Sequence, residues 1–466
     1  MHIHILGICG TFMGGLAALA REAGHTVTGC DAAVYPPMSD QLRALGIELI
    51  EGFGEEQLGL QPDLFVVGNV VSRAKLPNGK SKFALMEAIL DQSLPYTSGP
   101  QWLSEHVLAG RHVVAVAGTH GKTTTTAMLS WVLEACGLNP GFLIGGVPLN
   151  FGISARLGGS NPSGTNKPLF VIEADESDSS FLHYQTAIAL ITNVDPDHLD
   201  HFGSLEAFQK EFVRFAEAAS EFVVISADDI GAVEVTKMIQ DKKIISFGVS
   251  DHADLKISSL DASGAKVSFS LSYQDQSAEA VLKIPGEHNA QNAAGAVAVL
   301  LGLGFPLDES LAAVATFGGT DRRFQLHGDR RGVSVYDDFA HHPTEVAAAL
   351  RAAKASVGEG RLITVFQPHL YSRTRIFYKE FAEALKISDF SLVTSIYAAR
   401  EDPEPGVTAE LITNAASATP GIRLVSNWDD VPAAAAAIAM PGDFIITMGC
   451  GDIYKMVPAL LDALET

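Results

Sequence analysis

Four stretches in the middle of the chain, LFVIEAD (169–175), AIALITNVD (187–195), EFVVISADD (221–229) and KKIISFGV (242–249), are near-continuous apolar runs of strand length. They lack the alternation of a sheet with one wet face and read as strands buried on both sides, the condition of a parallel sheet covered by helices. The same grammar flanks them. HIHILG (2–7) leads through a glycine-rich turn and a helical pattern over 14–25 to the strand TVTGCD, a βαβ unit. DLFVVGN (63–69) and an amphipathic helix near 83–91 continue the alternation, and HVVAVAG (112–118) opens the next set. VSVYDD, RLITVFQ, SLVTSIY and DFIITMG then alternate with Ala-rich helices in the last third of the chain. The expectation is an α/β chain of three domains, 1–106, 107–325 and 326–466. GGSNPSGTNKP (158–168) reads as an exposed loop.

With 47% apolar residues among 466, each domain has the material for a core. The longest mostly apolar stretch, Ala293 to Leu307, is interrupted by Gly295, Gly302, Gly304 and Pro306. It falls short of the roughly 18 residues that cross a bilayer, so no membrane insertion is expected. The start MHIHILG enters a strand without a basic leader region, which points to the cytoplasm. Cys9, Cys30, Cys136 and Cys450 lie far apart without C-x-x-C spacing and read as small buried residues, not a disulfide framework or zinc site. A net charge of −22 opposes attraction to nucleic acid. An anionic ligand therefore needs a local pocket of backbone N–H groups and a few placed cations.

VAVAGTHGKTTTTAML (114–129) has the form of such a pocket: an apolar strand, a turn with Gly118 and Gly121, then Lys122 and threonines entering a helix. N–H groups at a helix N-terminus attract phosphate, Lys122 can reach terminal phosphates, and the Thr123 hydroxyl suits Mg²⁺. The usual phosphate-loop spelling asks for Gly where Val116 stands, but the tight turn lies at the Gly118–Gly121 end. Lys122 is read as an exposed loop lysine whose removal costs activity and little stability. Glu173, Asp175, Glu176 and Asp178 follow one buried strand and NVDPDHLDH, with His198, follows the next; carboxylates at such ends beside a phosphate loop can hold Mg²⁺.

GEHNAQNA places Asn289 and Asn292 on one helical face, where amides can read a base edge or cap the helix. GTDRRFQ offers Arg322 and Arg323, and an arginine arriving from another domain can stabilise a transferring phosphoryl group. Asp337, Asp338, His341 and His342 follow another strand. In the first turn, Gly7, Gly10, Gly14 and Gly15 miss strict G-x-G-x-x-G spacing, while Asp31 ends the second strand where an acid can bind a ribose hydroxyl.

GTHGKTTTT, EADESD, DHLDH, EHNAQNA, RRFQ and DDFAHHPTE, in this order and across essentially the whole chain, resemble the Mur ligases, ATP-dependent amide-forming enzymes of peptidoglycan synthesis. The resemblance implies a Rossmann-like N-terminal domain for the UDP sugar, a central P-loop ATPase-type domain with a parallel sheet, and a C-terminal Rossmann-like domain for the amine. It implies ATP and Mg²⁺, with the γ-phosphoryl passing to the substrate carboxylate before the amine attacks. Gly118, Thr119, His120, Gly121, Lys122, Thr123 and Thr124 would cradle ATP, with Lys122 on its β and γ phosphates. Thr123, Glu173 and His198 would serve the metal, Asn289 and Asn292 the adenine, Arg323 the γ-phosphate and Asp338 the ribose. Gly7, Gly10, Gly14 and Asp31 would hold the UDP part.

Within the family the chain looks two ways. HILGICGTFMGGLA, DAAVYPPMSDQL, SGPQWL and GGVPLNFG resemble members that attach L-alanyl-γ-D-glutamyl-meso-diaminopimelate to UDP-N-acetylmuramate; EADESDSSFLH, FQPHLYSRTR and IYAAREDPEPG resemble members that attach L-alanine. The resemblance places amine selection in the C-terminal domain, with His369 and Arg373 near the amino acid carboxylate, so L-alanine is expected and the tripeptide is the alternative. A monomer or homodimer acting on small molecules is expected. A non-catalytic nucleotide-binding regulator and a NAD-linked dehydrogenase are the competing classes. The presence of Lys122, Glu173, His198 and Arg323 speaks against the first, and a second phosphate loop against the other.

Overall fold

A computed structural model describes every residue except 35–37, 76–78, 80, 160–166, 197–201, 400 and 466. The predicted α/β architecture is present as three parallel-rich sheets. The first contains β1 (His2–Leu6), β2 (Thr26–Asp31), β3 (Glu48–Glu51), β4 (Leu64–Val67) and β5 (Tyr96–Ser98), all parallel, in the order β3-β2-β1-β4-β5. That is the Rossmann order, and its reversal between β1 and β4 opens a crevice beyond their carboxyl ends, where Gly7 lies.

The second sheet contains β6 (His112–Ala117), β7 (Gly141–Leu143), β8 (Ala155–Arg156), β9 (Leu169–Glu173), β10 (Thr186–Ile191), β11 (Phe222–Ser226) and β12 (Lys243–Gly248). Their order is β12-β11-β10-β6-β9-β7-β8, and β8 alone of these runs antiparallel to its neighbour. β6, β10 and β11 are buried along their whole length, as continuous apolar runs require. β12 departs from the expectation of two covered faces: Lys243 is exposed, and Ile244 and Ser246 are half-buried. Leu255 and Lys256 of β13 (Leu255–Asp261) pair only with Phe247 and Gly248, which leaves the start of β12 without a neighbour on that side.

β13 continues through β14 (Val267–Tyr273) to β15 (Gln276–Leu282), in that spatial order. Connections this short cannot cross over, so the three strands form an antiparallel meander. The third sheet contains β16 (Gln325–Arg330), β17 (Val333–Asp338), β18 (Leu362–Phe366), β19 (Phe390–Val393), β20 (Ile422–Leu424) and β21 (Phe444–Met448), ordered β16-β17-β21-β18-β19-β20. All its pairs are parallel except the β16–β17 hairpin.

The chain forms two compact units: Met1–Lys256 with Ser272–Gln276 and Asn292–Val314, and Ile257–Leu271 with Ser277–Gln291 and Ala315–Thr466. Within the first unit the two leading sheets share one apolar core. The first helix, Thr11–Glu22, starts three residues before the sequence pattern suggested, because Gly10 in extended conformation serves as its N-cap. Gly15 on that helix faces Leu143 of β7, Glu22 accepts the Leu157 N–H at 2.8 Å, and Ser104 donates to the His183 carbonyl at 2.7 Å. Cys30 is buried and the other three cysteines are half-buried, none in a disulfide. Among the described residues no helix is long and apolar enough to cross a membrane.

His4 on β1 is fully buried in a polar chain. Gln57 donates to the Gly52 carbonyl, which turns its own carbonyl toward His4 Nε2 at 3.0 Å; His4 Nδ1 then accepts from Thr28, whose oxygen also meets His2. Burial pulls the His4 pKa down to about 4 from 6.5, so the folded state holds the ring neutral. The unfolded chain takes up a proton first, and the stability His4 contributes is intact above pH 6.5 and lost as pH falls toward 4. Urea denaturation should show wild type losing about 1 kcal/mol more than His4→Gln between pH 7 and about 5.5. Equal losses would show that the neutral ring contributes nothing.

Candidate active site

β6 lies between β9 and β10 in the second sheet, so three carboxyl-terminal ends converge where the phosphate-loop motif leaves β6. The loop is pinned by the segment after β10. The Thr119 hydroxyl donates to the Asp195 carbonyl at 2.9 Å and accepts the Asp195 N–H at 3.0 Å. The His120 N–H donates to Asn193 Oδ1, while Thr192 and Asn193 side chains donate to the His120 carbonyl, and His120 Nε2 lies 3.1 Å from Asp195 Oδ2. Two glycines make the turn possible. Gly118 has φ 137° and a Cβ there would strike the Thr192 hydroxyl; Gly121 has φ 79° and caps the helix Lys122–Ala135, with a Cβ 2.7 Å from Asn292 Oδ1. The helix begins at Lys122, so the N–H groups of its first turn have no preceding turn to bond and face the loop mouth.

Thr123 Oγ donates to Glu173 Oε1 at 2.9 Å, and the Gly145 N–H fixes Glu173 Oε2 at 2.7 Å. Two oxygen ligands of the type Mg²⁺ takes are thus held together at the end of β9. The acidic cluster divides by role. Asp175 and Asp178 accept the N–H groups of Ser177 and Ser180 and are exposed, whereas Glu176 turns inward and is 1% exposed. Lys122 meets it there, Nζ to Oε2 2.8 Å and to Oε1 3.0 Å, with 16% of the lysine side chain accessible. This corrects the reading of Lys122 as an exposed lysine: β9 and the segment after it cover the ammonium. Burial pushes the Glu176 carboxyl up to about 7 against the pull of Lys122, while the carboxylates of Glu176, Asp175 and Glu173 outweigh burial at Lys122 and raise it. His198 lies outside the described residues. Thr124 follows on the helix, half-buried.

Asn292, on the helix Glu287–Gly302, accepts the Thr125 hydroxyl at 3.1 Å, and from Asn292 onward that helix belongs to the first unit. Asn289, one turn earlier, donates to the Pro285 carbonyl at 2.6 Å. In the first sheet, the Gly10 N–H bonds the Gly7 carbonyl, Gly14 packs against Met38, and Asp31 closes the turn by accepting the Cys9 N–H at 2.8 Å. Burial leads the influences on Asp31 and raises its pKa.

In the second unit the paired arginines separate. Arg322 donates to Asp337 at 2.7 Å and to the Gly449 carbonyl at 2.9 Å, its guanidinium 4.3 Å from the Tyr454 ring centroid. Asp337 is fully buried and also accepts from Thr447. Arg322 and Phe324 take positive φ of 56° and 52°, strained for side-chain residues. Between them the Arg323 guanidinium lies 5.2 Å over Phe339 and donates to no protein acceptor among the described residues. Asp338, 5% exposed, accepts the N–H of Phe324 and of Ala340, and burial raises its carboxyl to about 6. His369 stacks on Tyr397 and meets the edge of His341, and Arg373 lies close enough to lower the His341 pKa, after burial and against Glu345. The structure thus gathers Gly118 to Thr124, Glu173 and Asn292 in the first unit. Asn289, Arg323, Asp338, His369 and Arg373 lie in the second, so the two asparagines predicted to act together fall in different units.

Comparison with known proteins is consistent along the chain. Residues 2–111 match the model "Mur ligase family, catalytic domain", 116–300 match "Mur ligase middle domain", and 322–451 match "Mur ligase, glutamate ligase domain". The chain is 46% identical to a UDP-N-acetylmuramate--L-alanine ligase of Clavibacter michiganensis, over 99% of this chain and 93% of the relative. It resembles the solved murein peptide ligase of Psychrobacter arcticus, with TM-score 0.75, 37% identity, 100% of this chain and 99% of that one. It also resembles the solved UDP-N-acetylmuramate-alanine ligase of Thermotoga maritima, with TM-score 0.81, 25% identity, 99% of this chain and 98% of that one. With sheet order, phosphate loop and full-length identity in agreement, this chain belongs to the Mur ligase family.

Proposed function

We propose that the protein joins L-alanine to the carboxylate of UDP-N-acetylmuramate in the cytoplasm, with ATP converted to ADP and phosphate. The observation that carries this reading is the convergence of Lys122, Thr123 and Glu173 on one glycine-walled loop at the end of β6 and β9. Residues 1–106 would bind the UDP sugar, 107–325 ATP and 326–466 the amine. The Thr123 hydroxyl and Glu173 carboxylate fit Mg²⁺, which when bound neutralises charge on the phosphate oxygens. Lys122 orients the terminal phosphates, and Arg323, whose guanidinium bonds no acceptor among the described residues, stabilises the γ-phosphoryl as it passes to the sugar carboxylate. The amine then attacks the acyl phosphate and phosphate leaves. No enzyme nucleophile is needed; positioning and charge neutralisation suffice.

The acceptor rests on the Clavibacter relative and on the FQPHLYSRTR segment, where His369 and Arg373 fall. The likeness to the Psychrobacter murein peptide ligase and the N-terminal motifs support the second reading, a tripeptide acceptor. Phosphate release with UDP-N-acetylmuramate, ATP and Mg²⁺ separates them. Turnover is expected with L-alanine; turnover with L-alanyl-γ-D-glutamyl-meso-diaminopimelate alone would overturn the L-alanine assignment, and release with neither would overturn the ligase reading.

A further inference from the structure

We propose that Glu176 is an exchangeable counter-ion for Lys122: it holds the ammonium while the loop carries no nucleotide and yields it to the phosphates when nucleotide binds. The inference rests on the reading of Lys122 as the phosphate ligand. It starts from a count of donors. An ammonium has three N–H groups, and Nζ donates to the Gly118 carbonyl at 2.6 Å, the Thr119 carbonyl at 3.3 Å and Glu176 Oε1 at 3.0 Å. All three are spent on the protein. A phosphate oxygen can therefore reach Nζ by hydrogen bond only if one acceptor withdraws.

The carbonyls are poor candidates to withdraw. Gly118 is wedged against Thr192, and Thr119 is tied to Asp195 by two hydrogen bonds, so moving either carbonyl unmakes the loop itself. Glu176 is a side chain, and it can turn away without unmaking the loop. Both its oxygens face the ammonium, Oε2 at 2.8 Å and Oε1 at 3.0 Å, so the carboxylate and the two carbonyls offer four acceptors to three N–H groups. With more acceptors than donors, one carboxylate oxygen is always short of a full hydrogen bond, and withdrawing Glu176 breaks no contact within the loop, which makes it the partner most easily exchanged for a phosphate oxygen. The burial of Glu176 makes the exchange reversible. Once displaced, the carboxylate is an unpaired charge in a dry site, and recapture of Lys122 relieves it as soon as phosphate leaves. The acid thus works against retention of ADP as well as against entry of ATP. The neighbours do not duplicate it, since Asp175 and Asp178 are spent on Ser177 and Ser180.

Glu176→Gln keeps the shape and removes the charge. Calorimetric titration with ADP and with a non-hydrolysable ATP analogue should show affinity rising tenfold or more, with kcat and the KM for ATP both falling. Unchanged or weaker affinity in folded Glu176→Gln overturns the exchange. Lys122→Ala is titrated beside it. If that variant binds nucleotide as well as wild type, the phosphate reading of Lys122 fails; if it binds weakly while Glu176→Gln is not tightened, the exchange alone fails. A wild-type structure with nucleotide bound needs no variant to fold. Lys122 Nζ should then lie more than about 4 Å from the Glu176 carboxylate, beyond ion-pair range, and persistence of the pair would overturn the proposal.

Discussion

Lys122→Ala should lose both activity and stability. Removal of one charge-stabilising donor from an active site typically costs roughly 100- to 1,000-fold in turnover, and phosphate-release kinetics should show a loss of that size. The stability loss follows from what remains. Glu176, 1% exposed, would keep its burial without its cation, and breaking a buried pair from one side costs about 3–5 kcal/mol. The double variant Lys122→Ala with Glu176→Gln separates the two effects: most of the stability should return in urea denaturation while activity stays low. A single variant as stable as wild type would show that the pair is no structural element, and recovered turnover in the double variant would remove Lys122 from the chemistry.

Arg322 and Arg323 are adjacent and of one type, yet their alanine variants should fail in opposite ways. Arg322→Ala leaves fully buried Asp337 with Thr447 as its remaining side-chain partner, and the expected cost is about 3–5 kcal/mol in denaturation midpoint terms. Arg323→Ala removes a half-buried guanidinium that bonds no acceptor among the described residues and acts on buried Asp338 through its charge alone, so stability should fall far less than for Arg322→Ala, by about 1 kcal/mol. Its turnover should fall on the order of 1,000-fold, the scale of an arginine that meets a transferring phosphoryl group. Arg322→Lys is an instructive third variant, since a point charge cannot reproduce the fork that spans Asp337 and the Gly449 carbonyl. If Arg323→Ala keeps wild-type turnover, the arginine serving the phosphate is elsewhere.

Much of this was legible before any coordinates. Apolar runs located β6, β9, β10 and β11 because a strand covered on both faces has no reason to alternate. The glycines of GTHGKT marked the loop because Gly118 and Gly121 occupy positions that a Cβ would block. What stayed hidden depends on neighbours far along the chain. β13 to β15 escaped a reading built on continuous apolar runs, although VSFSLSY alternates strictly and its alternate residues are buried on one face. Nothing local distinguishes Glu173 from Glu176, three residues apart; the first points at Thr123 and the second at Lys122 because the chain turns after β9. Nor does RRF say which arginine is committed, since the partner that commits Arg322 waits on β17.

The contacts that fuse the two leading sheets limit how such a chain can be recombined. The helix Thr11–Glu22 reaches across to β7 and the segment after β8 through Gly15 and Glu22, and Ser104 reaches to His183. A crossover near residue 107, where the sequence suggests a seam, would ask two unrelated surfaces to match at once. Inheritance of the leading sheets as one block avoids that demand. A graft ending at 107 is expected to need repair along the first helix, and one that begins at Ala315 leaves behind Ile257–Leu271 and Ser277–Gln291, which pack with the second unit.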